Sequence, residues 1–132
     1  MLLPLPIRKV RSLSLENHVA LATVRAGRGD LDQICCLIRV VYLAYFLRGE
    51  TAQSRDLEPY RRAEAVLDSC VERIEHDQPC LLLDQEQTAV ERVLVLHDAQ
   101  LAVVPRFRYL EAIERLQRFV TSSKSSPIAT ER

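Results

Sequence analysis

Glycine is almost missing from this chain: three in 132 residues, at Gly27, Gly29 and Gly49. That scarcity removes the phosphate-cradling loops, since neither G-x-x-x-x-G-K-[ST] nor G-x-G-x-x-G is present, and with them the G-x-S-x-G nucleophile elbow. No Asn-Gly or Asp-Gly pair marks a hairpin, and no stretch alternates polar and apolar with period two, so strands are not expected. Tryptophan is absent and lysine nearly so, with only Lys9 and Lys124 among 18 basic residues. The 18 basic residues meet 18 acids, and a chain of zero formal charge is not one that holds nucleic acid by bulk attraction. The longest apolar run, residues 40–47, falls far short of the roughly 20 needed to span a bilayer. Four cysteines occur, at 35, 36, 70 and 80, without a C-x-x-C and without zinc-ligand spacing. They read as small buried hydrophobes. No H-E-x-x-H is present, so no metal and no cofactor is expected.

What is present is ordinary globular composition, 48% hydrophobic and 27% charged, in one domain's length of chain. The apolar stretch at 1–7 precedes its charges, the reverse of a secretory signal, so the expected compartment is the cytoplasm, where thiols stay reduced. Zero net charge hides an asymmetry. Residues 1–29 hold five cations against one acid, while residues 50–98 hold twelve acids against five arginines, a net of −7.

The apolar spacing is helical throughout and predicts an all-α fold: an irregular bundle of about five helices around an apolar central helix at 31–48. Helix 1 is expected over 15–25, capped by Ser14 and stopped by Gly27. Helix 2 opens at Asp30, boxed by Gln33, and ends at Gly49. Helix 3 starts near Asp56 or Glu58, tolerates Pro59 in its first turn, and ends near Glu75. Helix 4 opens at Asp84, boxed by Gln87, and runs to about 102. Helix 5 follows Pro105 over 106–120. The domain division expected is an extended arm at 1–12, a helical domain at 13–120 and a frayed tail at 121–132.

The faces indicate which surfaces meet. Helix 3 has one clean stripe, Tyr60, Ala63, Leu67, Cys70, Val71 and Ile74, and helix 5 another, Leu110, Ile113, Leu116 and Phe119 or Val120. Helices 2 and 4 are apolar nearly all round, more than five helices wrap easily, which points to a homodimer. Arg39 is the one charge in the apolar length of helix 2; a buried ion pair, with Asp98 as candidate partner, or a partner-binding arginine are the two readings. Glu64, Asp68 and Glu72 repeat at i, i+4 and i+8, with Glu75 beyond, a repulsive acidic stripe suited to a basic partner. Arg8, Lys9 and Arg11 near the start, and Arg106, Arg108, Arg115 and Arg118 in helix 5, are the candidate nucleic-acid contacts. Glu111 and Glu114 stand four residues before Arg115 and Arg118, however, and so compensate part of that row. His97 lies on an apolar face and reads as a packed histidine; no catalytic residue is assigned.

Three segments, Leu13-Ser-Leu-Glu-Asn-His-Val-Ala-Leu21, Val41-Tyr-Leu-Ala-Tyr-Phe46 and Val93-Leu-Val-Leu-His-Asp-Ala-Gln-Leu101, resemble small all-helical bacterial proteins often labelled Fis-type transcriptional regulators. The resemblance spans most of residues 4–120 and implies a bacterial regulatory protein. A Fis-type helix-turn-helix ends in a basic reading helix, whereas the last helix here is half acidic, so no DNA-reading residues carry over. The expectation is therefore a non-enzymatic regulatory or accessory protein acting through protein contacts as a homodimer. The alternative is a DNA-binding regulator using the N-terminal basic arm and the last helix's arginines. A third reading, an enzyme, requires a pocket where His97, Arg39 and a thiol converge.

Overall fold

A computed structural model describes residues 3–122 and 124–128. Five helices pack against one another: α1 (Ile7–Arg25), α2 (Leu31–Phe46), α3 (Glu58–Glu75), α4 (Asp84–Val103) and α5 (Arg106–Val120), with two single 3₁₀ turns, Arg48–Glu50 and Ala52–Ser54, between α2 and α3. No strand forms among the described residues; a lone antiparallel bridge joins Pro4 to Pro105. The fold is an all-α bundle.

The start of α2 is the capping box read from Asp30 and Gln33: the Asp30 carboxylate accepts from the Asp32 amide (3.0 Å), and the Gln33 side chain accepts from the Asp30 amide (2.9 Å). The tight turn before it needs its glycines. Gly27 sits at φ +77°, and a Cβ on Gly29 would approach the Val24 side chain at 2.6 Å. The other end of α2 is buried, and a buried helix end must find partners for its last carbonyls. Gln100 of α4 donates its amide to the Ala44 carbonyl (2.9 Å), and Arg48 turns back to the Tyr45 carbonyl (3.0 Å) while lying over the Tyr45 ring (4.3 Å). The Ser54 hydroxyl donates to the Arg48 carbonyl (2.8 Å), and the Tyr60 hydroxyl donates to the Ser54 carbonyl (2.5 Å). Burial pushes that Tyr60 hydroxyl up to about 12.

Three departures from the sequence reading have physical causes. α1 begins at Ile7, eight residues earlier than Ser14 suggested, because Val10 and Leu13 continue the buried stripe of Asn17, Ala20, Leu21 and Val24 at helical spacing. Of the expected 1–12 arm, only residues 3–6 are non-helical among the described residues. They lie along the start of α5, where the Arg106 amide donates to the Leu3 carbonyl (2.7 Å) and Leu5 is buried. The stripe of α5 is shifted by one residue. Tyr109, Ala112 and Leu116 are buried, with Ile113 and Phe119 beside them, while Leu110 and Val120 face out. At α4 the box is formed by Glu86, which accepts from the Leu83 amide (2.9 Å), and not by Gln87.

The helix expected at 31–48 ends at Phe46, and its surroundings are uneven. Its second half is enclosed, but Cys35 and Arg39 on the first half are exposed. α4 has only one buried face, with Val95 and Val103 outward. Cys70 and Cys80 are buried as expected, whereas Cys35 is exposed and Cys36 half-buried.

The tail expected to fray from 121 turns back through its described residues. Ile128 is 1% exposed within the main core, and Ser126 donates its hydroxyl to Glu64 (2.6 Å) and accepts from the Ile128 amide (3.1 Å). Residues 129–132 lie outside the described part. Truncating a buried isoleucine removes its transfer energy and leaves a cavity, so Ile128→Ala is expected to lose about 2–4 kcal/mol of stability in urea unfolding. A frayed tail would leave the unfolding midpoint unchanged.

Candidate ligand-binding cavity

Between α1, α2 and α5 lies a cavity of about 360 Å³ with one residue of α4, His97, at its floor. Leu13, Val40, Leu43, Ile113 and Leu116 form apolar walls. Glu16, Asp32, Cys35, Cys36 and Arg39 line the same cavity; apart from half-buried Cys36, all of these are exposed.

Three nearly buried polar residues line it as well: His97 at 2% exposure, and Asn17 and Tyr109 at 7% each. Buried polar atoms in folded proteins are almost always hydrogen-bonded. His97 Nδ1 is bonded to Gln100 Oε1 (2.9 Å). Gln100 commits its amide N–H to the Ala44 carbonyl, so Oε1 must accept and Nδ1 must carry the proton. Nε2 is left as a lone pair, and no described residue donates to it. The Asn17 amide and the Tyr109 hydroxyl likewise have no hydrogen-bond partner among the described residues. None of these three groups is sealed from solvent, the one such orphaned atom being Asp98 Oδ1. All three residues line this cavity.

Burial lowers the His97 pKa, against the smaller raising effects of the Gln100 hydrogen bond and the Asp98 charge, so the imidazole is held neutral. Burial and Glu16 push the Cys36 thiol up, with Arg39 opposing. Burial and Glu16 do the same to the Tyr109 hydroxyl, again against Arg39. His97, Arg39 and two thiols thus converge, as the enzyme reading required. A thiol that holds its proton is a poor nucleophile, however, and no hydrogen bond links it to His97 among the described residues. No three His, Cys, Asp or Glu side chains among the described residues could hold a metal ion.

Arg39, read from the sequence as a buried charge, lies instead at this cavity, exposed and without an ion pair among the described residues. Asp98 is taken by a different residue: His18 Nε2 meets its Oδ2 at 2.8 Å, tying α1 to α4. Within the acidic stripe, Glu64 is occupied by Ser126 and by the Tyr42 hydroxyl. Asp68 is exposed; partial burial and the Glu64 charge raise its pKa. Glu72 and Glu75 are exposed further along α3.

The seven basic candidates divide into two groups. Arg8, Lys9 and Arg11 are exposed on the first turns of α1, near Arg106, because Leu3 is bonded to Arg106. Arg108 turns to Glu50 (3.2 Å), Arg115 lies over the Phe46 ring (4.6 Å), and Arg115 and Arg118 line a shallow groove with Lys124 at the far end of α5. At 1.5 Å per residue Arg115 and Arg118 lie about 14 and about 18 Å along α5 from Arg106, and the expected pairing of Arg115 and Arg118 with Glu111 and Glu114 does not form among the described residues.

Sequence reasoning missed Asn17 and Tyr109. The signal for Asn17 was there, a polar residue in a buried stripe at helical spacing. Tyr109 was hidden by the one-residue shift of α5.

A neutral native His97 gives a definite pH response. The unfolded chain binds a proton near pH 6.5 that the native state withholds, so stability falls as pH drops below that value. His97→Gln is expected to flatten the wild-type decline in urea midpoint between about pH 7 and 5. An unchanged slope would mean that His97 is protonated in the fold.

Among the described residues no helix is long and apolar enough to cross a membrane. The chain matches no protein-family model, no curated protein and no solved structure.

Proposed function

We propose that this is a non-catalytic bacterial regulatory or accessory protein that works through protein contacts, with a second copy of itself as the first partner. The observation that carries this reading is an unpartnered apolar band along α1 and α4. Leu15 (66% exposed), Val19 and Ala22 follow one another on the outer face of α1, and Val95 (55% exposed), Ala99, Ala102 and Val103 on that of α4. The His18–Asp98 contact joins the two helices, and the Leu3–Arg106 bond sets the start of α1 beside the end of α4, so they run antiparallel. The band therefore has a basic end, with Arg8 and Arg11, and an end of mixed charge, where Asp84 and Glu91 of α4 stand with Arg92 and with Arg25 of α1. Exposed Cys35 suits the reducing cytoplasm.

Multi-angle light scattering at micromolar concentration is expected to give the mass of a dimer. Val95→Glu, a change on an exposed face, is expected to give a folded monomer. A monomeric wild type overturns the reading.

A second reading, contact with duplex DNA, draws on the shared basic end formed by Arg8, Lys9, Arg11 and Arg106. Fluorescence anisotropy with a labelled duplex would then fall steeply between about 50 and 200 mM salt, as phosphate contacts release counterions. Flat anisotropy at low salt removes this reading.

A further inference from the structure

We infer that the cavity floored by His97 is a binding site for a small neutral molecule with an apolar body and a head that both donates and accepts hydrogen bonds, of the phenol, alcohol or amide class. The cavity opens between α1, α2 and α5, and none of the band residues named above lines it, so the argument for this site does not draw on the self-association proposed above.

The polar groups define the head. His97 Nε2 is a lone pair on an imidazole whose other nitrogen is committed to Gln100, so the ligand must offer it an O–H or N–H. Asn17 and Tyr109 bring an amide and a hydroxyl, each able to donate as well as accept, so a head that also accepts is met by donors there. These three side chains are nearly buried, yet the fold supplies no partner for the atoms they turn to the cavity. Solvent reaches these atoms through the cavity, so in the free protein water meets them and a ligand must replace its hydrogen bonds.

The walls define the body. Leu13, Leu43, Ile113 and Leu116 surround a space of about 360 Å³, within the range of small-molecule sites. The mouth defines the charge. Glu16 and Asp32 outnumber Arg39, leaving a net of −1 that disfavours an anion.

The experiment uses phenol and toluene, which match in shape and differ by the hydroxyl, on the ¹⁵N-labelled full chain. Phenol is expected to shift the amide signals of Asn17, Cys36 and Tyr109 saturably, and to move the ¹⁵N signal of the unprotonated His97 Nε2 as it accepts a hydrogen bond. Toluene is expected to bind at least about tenfold more weakly, because it leaves the polar groups unpaired. Ile113→Trp, at a half-buried wall position, fills the cavity and is expected to abolish the phenol response while the rest of the spectrum persists. Equal affinity for both probes would mean a merely greasy cleft and overturns the proposal. Absence of saturable shifts with phenol overturns it as well, leaving a hydrated cavity. A phenol response that survives Ile113→Trp overturns the location.

Discussion

The side-chain amide of Gln100 is the point on which the arrangement turns. α2 ends inside the protein, and a helix that ends there leaves carbonyls that water cannot reach. Gln100 reaches across from α4 to the Ala44 carbonyl and so joins the two most apolar helices through a polar bond that tolerates little slippage. The same amide, through its oxygen, sets which nitrogen of His97 carries the proton. Register between helices and the chemistry of the cavity floor thus rest on one residue with no exposure. Arg48, Ser54 and Tyr60 complete the burial of that helix end and make the short 3₁₀ segment part of the packing rather than a loose connection.

The parts of this fold legible in the sequence are those written in local signals. The Asp30–Gln33 box is two hydrogen bonds within four residues. The α3 stripe is seen because its polar flanks contrast strongly with its apolar ones. The misread parts depend on partners distant in sequence. Pro4 and Pro6 suggested an extended arm through residue 12, yet the helix needs only Pro6 to stop it, and Val10 and Leu13 find their cover on elements a hundred residues away. Leu110 looked like a core residue by type, but the helix turns Tyr109 inward because Ala112 and Leu116 leave room for its ring on that side. Arg39 looked buried because its neighbours in sequence are apolar; in three dimensions it is exposed and lines the cavity between α1, α2 and α5. The cavity was only half visible. His97, Arg39 and the cysteines were singled out as scattered residues, and only their convergence in space gives them a common setting.

The charge pattern is redistributed by the same packing. The acidic stripe of α3 is partly consumed within the chain, since Glu64 serves the Tyr42 hydroxyl and Ser126. Its repulsion with Asp68 is thus tied to seating the tail, as well as to keeping the surface wet. The arginines of α5 are also divided in purpose: Arg108 pairs with Glu50, and Arg115 covers Phe46. An arginine-rich helix need not be a phosphate-tracking one when aromatic faces and carboxylates lie within reach.

The seat of Ile128 has a consequence for how the chain acquires its structure. That side chain fills a place in the core formed by helices made much earlier in synthesis, so the core stays open until residue 128 arrives. Contacts between such distant segments carry a large loop-closure cost and form late. A nascent chain halted before this segment holds its helices around an unfilled gap, with apolar surface exposed to chaperones and proteases. A chain that carries residue 128 is thereby separated from one that lacks it by stability alone.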